Sequence, residues 1–359
     1  MHKTANVSAS PQAPGIVRMK DIAIRGNVSV ATVSQVLRGQ GAERYSAATR
    51  EKILNVAREL GWLPNRLVRG IQTGRTGLAG SVMLTTGEHW HQVSTGLQME
   101  LLSRNLLPLA MQPDYDGASN FTELELLRSL MELRVEGIAT SPLIDARAVE
   151  FLTTVCARQV PVVTVDFQLP HTSGAIEVRT PEHKAMAAAM DHLAALGHKR
   201  IGYVGFATPG DWVIDRRRAF LDETASRGLA AVFIEEIAKG DNPALLQLDS
   251  QLREVTAVIA ATEQLSVSVW HVAQSAGLQI PRDLSIVGFG QFHFDFALWP
   301  KFTCINQRPQ EIGKTAAKLL ADPAMRETAR ANADGNSAFV EVEPELDPGQ
   351  TTAGPRRNR

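Results

Sequence analysis

The chain has 359 residues, 44% hydrophobic and 21% charged, which is too long for one compact domain and ordinary for a globular protein of two or three. No apolar run approaches the roughly 18 residues that cross a bilayer, and the opening MHKTANVSASPQAPG carries no apolar signal core, so neither membrane insertion nor secretion is expected. The net charge of −1 is unevenly spread: between Ile16 and Thr76 eleven Lys or Arg stand against four Asp or Glu, leaving an acidic remainder. A basic head on an acidic body suits contact with a polyanion. Cys156 and Cys304 lie in apolar contexts without partner spacing and read as reduced core thiols of a cytosolic protein.

In chain order, residues 1–15, rich in Ser, Pro and Ala, read as a flexible tail. MKDIAIRGN then predicts a short helix in which Ile22 and Ala23 face a core and Asp21 suits the first turn. Gly26-Asn27 predicts a tight turn, because both residues tolerate positive φ. Ser29 is placed to cap a second helix over Val30–Leu37, in which Val30, Val33 and Leu37 recur at i, i+3 and i+7 as one buried stripe. YSAATREKILNVARELGW predicts a third helix capped by Ser46 and ended by Gly61, with Ile53, Val56, Ala57 and Leu60 inward. Helix, short turn, helix and supporting helix form a helix-turn-helix arrangement. It accounts for the odd outward face of the second helix, since a helix entering the major groove needs short hydrogen-bonding side chains there. Ser29, Thr32 and Ser34 suit phosphate or backbone contacts, Ala31 a thymine methyl, and Gln35 an adenine edge. The competing reading is a plain three-helix bundle with solvated serines.

MKDIAIRGNVSVATVSQVLRG followed by YSAATREKILNVARELGWLPNRLVRGIQTGRT resembles, almost without gaps, the head of LacI/GalR-type transcription regulators. The resemblance implies that the second helix reads an operator, with Ser29, Val30, Ala31, Thr32, Ser34 and Gln35 as candidate contacts. It also implies a hinge helix within residues 63–76, in which Asn65 and Arg69 touch the DNA backbone and Ile71 wedges into the minor groove. Ile71 stands where the family usually has Leu, Asn27 where Gly is usual, and Gln35 where Arg is common, which points to a different half-site sequence.

From Gly77 on, strand-like runs (GLAGSVML, LLPLAMQ, VEGIATSPL, VPVVTVDF, RIGYVGF, AAVFIEEI, VTAVIAA, LSIVGFG) alternate with helix-like stretches. That alternation predicts an α/β body of two parallel-sheet subdomains covered on both faces, over residues 77–346. LAALGHKRIGYVG, GLQIPRDLSIVGFGQF, PKFT at Pro300–Thr303 and VEPEL resemble the same family's body, which has the fold of periplasmic sugar-binding proteins. The resemblance implies an effector in the cleft between subdomains. His89 and Trp90 fall where the family packs aromatic residues on the ligand, although Trp90 fits a core position equally well. Arg216 falls where the family has an effector-binding Arg, the alternative being a surface residue among three in a row. Pro181-Glu182 replaces the usual Asp-Asn, Thr262-Glu263 the usual Asn-Asp, and GFGQ the usual GFDD, so that Gly290 stands where an Asp anchors sugar hydroxyls and Gln291 follows. Loss of that carboxylate beside Arg216 and Gln291 points to a sugar acid such as a hexonate or its lactone, or to a phosphorylated sugar. Glu263 points the other way, and a cleft without an effector is the third possibility.

Catalytic and metal readings find little support: the nine histidines lack ligand spacing, no Gly-x-Ser-x-Gly elbow occurs, and no glycine-rich phosphate loop or dinucleotide fingerprint is found. No cofactor is expected. DPGQTTAGPRRNR, residues 347–359, has no apolar heptad and reads as a second flexible tail rather than a tetramerising coiled coil. The expectation is a cytoplasmic, nucleoid-associated homodimeric repressor on double-stranded palindromic operator DNA, controlled by a carbohydrate or sugar acid. The alternative is a solute-binding protein with the same body and no regulatory role.

Overall fold

A computed structural model describes residues 17–39, 43–64, 70, 74–84, 87–113, 121–170, 173–207, 210–237, 248–290, 300–333 and 337–356. The N-terminal tail and most of the expected hinge, including Asn65, Arg69 and Ile71, lie outside the described residues. The chain divides into two compact units, Met1–Gly74 and Arg75–Arg359.

In the first unit α1 spans Met19–Gly26, α2 Val30–Leu37 and α3 Ala47–Glu59. The Asp21 carboxylate accepts from the Arg18 amide at 2.8 Å and ties off the first turn of α1. Asn27 ends that helix at φ 49°, in the left-handed region that Asn tolerates, and so turns the chain toward α2. Ser29 and Ser46 cap α2 and α3, accepting from Thr32 N at 3.0 Å and Thr49 N at 3.2 Å. Ile22, Ala23, Val33, Val36, Ile53, Val56 and Ala57 close the core, with Leu37, Tyr45, Leu60 and Trp62 packed around it. Val30 departs from the expected stripe and is 46% exposed. It sits in the first turn of α2, one turn beyond the end of that core, and joins the outward face.

The second unit contains two six-stranded sheets. The first runs β11-β5-β4-β3-β1-β2, parallel throughout, from β1 (Leu78–Val82), β2 (Leu107–Met111), β3 (Ile138–Thr140), β4 (Val162–Val165), β5 (Ile176–Arg179) and β11 (Ala338–Glu341). Around it lie α4 (Glu88–Ser103), α5 (Glu123–Glu132), α6 (Ala146–Ala157), α11 (Pro309–Ala321) and α12 (Pro323–Ala331). The second sheet runs β12-β10-β9-β8-β6-β7, from β6 (Arg200–Phe206), β7 (Ala230–Ile237), β8 (Ala257–Ala260), β9 (Ser285–Phe289), β10 (Thr303–Asn306) and β12 (Glu345–Asp347). Its helices are α7 (Glu182–Ala195), α8 (Asp211–Ser226), α9 (Leu248–Glu254) and α10 (Glu263–Ser275). All its pairings are parallel except β10–β12. β1, β3, β4 and β8 are buried along their whole length, which is why they appear in the sequence as uncharged, mostly apolar runs whose few polar residues are small (Ser81, Thr140, Thr164). α4 and α11 approach so closely that a Cβ on Gly96 would fall on the Gln310 carbonyl, and one on Gly313 on the Val93 carbonyl.

The segment after Leu346 is not loose up to Arg356, contrary to the expected tail. Thr351 is fully buried, its carbonyl accepts from Ile286 N at 2.8 Å, and its hydroxyl accepts from Thr303 N at 2.9 Å while donating to the Ile286 carbonyl. His198 donates from Nε2 to the Ala353 carbonyl at 2.8 Å. Small polar residues pack here through backbone hydrogen bonds, which leave no hydrophobic pattern. Cys304 and Cys156 are free thiols, which burial pushes up to about 12 and about 11.

Candidate functional site

The outward face of α2 is the first candidate. Ser29, Val30 and Ala31 are exposed, while Thr32, Ser34 and Gln35 are half-buried. Ser29 and Thr32 share a hydroxyl–hydroxyl hydrogen bond of 2.8 Å, so the cap and the next outward hydroxyl form one polar cluster at the helix N-terminus, where backbone dipoles favour an anion. Ser34 Oγ accepts from Arg38 Nη2 at 2.5 Å, which aligns an exposed guanidinium with that face and leaves the Ser34 proton free to donate. The Tyr45 hydroxyl donates to Gln35 Oε1 at 2.8 Å, a contact that the ten-residue separation conceals in the sequence. Short donors flanked by a cation match phosphate and base-edge chemistry better than they match a generic solvated surface.

The second candidate lies in the other unit, where helix N-termini and strand C-terminal ends of the two sheets meet. Arg216, on α8, is buried and bound by the two oxygens of Glu182 at the start of α7, Nε to Oε2 at 2.7 Å and Nη2 to Oε1 at 2.6 Å. Its Nη1 donates to the Ala261 carbonyl at 2.6 Å, and its guanidinium carbon lies 4.4 Å from the Phe289 ring centroid and 4.9 Å from that of Trp212. Burial pushes the Glu182 carboxyl upward and the adjoining guanidinium opposes this; the two short bonds make the contact bidentate. Glu182, which the sequence marked only as a departure, thus takes up the positive charge expected to serve a ligand.

His89 and Trp90 sit in the first turn of α4, their rings edge to face with centroids 5.0 Å apart. The His89 amide donates to Glu263 Oε1 at 3.2 Å, bridging the halves that carry the two sheets. His89 Nε2 lies 3.5 Å from Asp166 Oδ2, and its buried Nδ1 has no partner among the described residues. Trp90 is half-buried and packs against the core that contains Ala79 and Val93. Thr262 caps α10, its hydroxyl accepting from Leu265 N at 3.2 Å. Gly290 has φ 93°, and a Cβ there would sit 2.6 Å from Glu263 Oε2, so the Glu263 carboxylate occupies space that an Asp at 290 would need. Gln291 lies outside the described residues. Nearby, Glu177 on β5 is pushed up to about 7, chiefly by burial, with Arg179 opposing and Asp166, Asp211 and Asp215 reinforcing. The sequence reading missed Asp166, Glu177 and Tyr45. A charged residue inside the short β5, another in the bend just after β4 and a partner ten positions away follow no periodicity.

Residues 18–65 match the family model described as bacterial regulatory proteins, lacI family, and residues 190–352 the one described as periplasmic binding protein-like domain. The chain is similar to catabolite control protein A of Priestia megaterium, 24% identical over 338 residues that cover 87% of this chain and 94% of the relative. It is also similar to the HTH-type transcriptional repressor MelR of Bacillus subtilis (strain 168), at 25% over 328 residues and shares of 86% and 91%. The HTH-type transcriptional repressor CytR of Escherichia coli (strain K12) matches at 24% over 311 residues, with shares of 85% and 89%. Among solved structures, the lac repressor dimer bound to operator and the anti-inducer ONPF superposes with a TM-score of 0.77 at 19% identity, over 94% of this chain and 99% of the other. A LacI-family regulator from Silicibacter pomeroyi gives 0.72 at 21% identity, over 94% and 99%.

Proposed function

The chain belongs to the LacI family of bacterial regulatory proteins, and from that premise we propose that it acts as a homodimer on a palindromic operator, with a small carbohydrate in the cleft of its body setting the grip of the heads. It is a transcriptional repressor with a sugar-binding effector domain, and not an enzyme. The observation that carries the DNA reading is the outward face of α2, where Ser29, Thr32, Ser34 and Gln35 offer hydroxyls and an amide beside Arg38. Two such helices related by a two-fold axis suit two half-sites of a palindrome. In this reading Ser29, Thr32 and Ser34 meet phosphates, Val30, Ala31 and Gln35 meet base edges, and Asn65, Arg69 and Ile71 act in the hinge. The protein works in the cytoplasm, where its DNA lies; no helix among the described residues is long and apolar enough to cross a membrane. The match of residues 18–65 to a DNA-binding family weighs against a free-standing solute-binding protein.

For the effector, the Arg216–Glu182 pair removes the basis for a sugar acid, because the guanidinium is already neutralised by a bidentate carboxylate. With the carboxylates of Asp166 and Glu263 both held against His89, at the first turn of α4 beside Trp90, a neutral carbohydrate is the better fit: its hydroxyls would donate to carboxylates, and its apolar face would pack on Trp90. An anion would meet uncompensated negative charge at reduced dielectric. The ligand alters operator affinity only through unequal binding to the two arrangements of the body. Calorimetry with neutral sugars and their aldonic acids, paired with mobility shifts of the operator complex, tests this. Neutral sugars that bind and change operator affinity support the reading, and binding of the acids alone would restore the sugar-acid reading.

A further inference from the structure

We propose that Tyr45 is a positioning residue for base recognition: its hydroxyl fixes the Gln35 amide with the nitrogen end outward, so that Gln35 reads the N7 acceptor of a purine and rejects cytosine. The inference rests on the reading of α2 as the helix that meets base edges. A glutamine amide carries an acceptor at one end and two donors at the other, and an unrestrained one can present either. Presented oxygen-first it suits the amino groups of cytosine or adenine; presented nitrogen-first it suits N7 of adenine or guanine. In the structure the Tyr45 hydroxyl donates to Gln35 Oε1 at 2.8 Å, so the oxygen end is engaged and the amide stands in the second presentation. Tyr45 is itself anchored, since its ring packs against the head core and the next residue, Ser46, caps α3. Gln35 is half-buried, one turn after the exposed Ala31, so its nitrogen end is the part left to face a ligand.

The test uses the full-length protein and a panel of palindromic duplexes recovered by selection, with each base in turn at every half-site position, for the wild type, Gln35→Ala and Tyr45→Phe. Phe keeps the packed ring and removes only the hydroxyl, and an unchanged melting curve establishes that this variant is folded. The Gln35-dependent position is the one at which Gln35→Ala loses discrimination. There the wild type is expected to favour a purine over cytosine by at least about fivefold, the low end of a good base contact. Replacing that purine by its 7-deaza analogue removes most of the preference. Tyr45→Phe is expected to admit cytosine, cutting discrimination at least threefold while leaving affinity for random duplex unchanged. Unaltered discrimination in Tyr45→Phe, or a wild-type preference for cytosine, overturns the role of Tyr45. A wild type that selects no sequence, or a Gln35→Ala variant with the wild-type preference at every position, overturns instead the reading of α2 on which the inference rests.

Discussion

Replacing Glu182 by Gln keeps the shape of the side chain and removes the charge that Arg216 was folded against. The Nε–Oε2 and Nη2–Oε1 distances of 2.7 and 2.6 Å put the two charge centres about 4 Å apart, worth roughly 4 kcal/mol at an effective dielectric of about 20. Removing one partner of a buried pair costs about 3–5 kcal/mol by general experience, because the survivor stays buried and uncompensated. The two figures agree, and in Glu182→Gln the new amide donors also face the guanidinium donors. Urea unfolding followed by tryptophan fluorescence, with Trp212 beside the site, should show that loss in the effector-binding unit. Joint replacement of Glu182 and Arg216 by Leu and Met should recover most of it, since the desolvation of both charges disappears with them. Glu182→Gln should further gain stability from gluconate, which meets an unpaired guanidinium in the variant but a neutralised one in the wild type. A loss below about 1 kcal/mol would refute the view that the pair holds this end of the cleft together.

Two other perturbations test the body. Glu177 is raised from its ordinary 4.5 to about 7 in the folded chain, so the folded state takes up a proton between those values and stability falls as pH rises through that window. Glu177→Gln should therefore match the wild type near pH 4.5 and exceed it by about 3 kcal/mol at pH 8, which melting curves across that range would show; equal stability at every pH would contradict the burial of this carboxyl. Gly313→Ala places a methyl group on the Val93 carbonyl where α4 and α11 meet, and about 3 kcal/mol of destabilisation is expected in denaturant titrations.

The strands that read as uncharged, mostly apolar runs were legible in the sequence, because a parallel strand buried on both faces leaves no place for an unpaired charge. β5 was not, since it reads IEVR: Glu177 and Arg179 are paired within the fold, and Arg179 also reaches Glu341 at 3.3 Å. β10, β11, α9 and α12 are short and carry little pattern of their own. β12 broke the all-parallel expectation because the chain returns from β11 to the far edge of the other sheet. The head was legible almost in full, as caps, a turn residue that accepts positive φ and an apolar stripe lie within a few positions of one another. The cleft was legible only in part. Resemblance supplied Arg216, but its partner lies 34 residues away and no spacing rule joins them. The carboxylate on Arg216 neutralises the charge on which the sugar-acid expectation rested, and residue types alone do not reveal that pairing.

Operator recognition by the basic head is the central claim, and the salt dependence of binding to a selected palindrome and to a scrambled duplex tests it most directly. Cationic side chains that displace counterions from at least six phosphates give a log–log slope of about −5 or steeper on both duplexes, with the palindrome held at least about a thousandfold more tightly at physiological salt. Affinities indifferent to ionic strength, or equal for the two duplexes, would contradict the account.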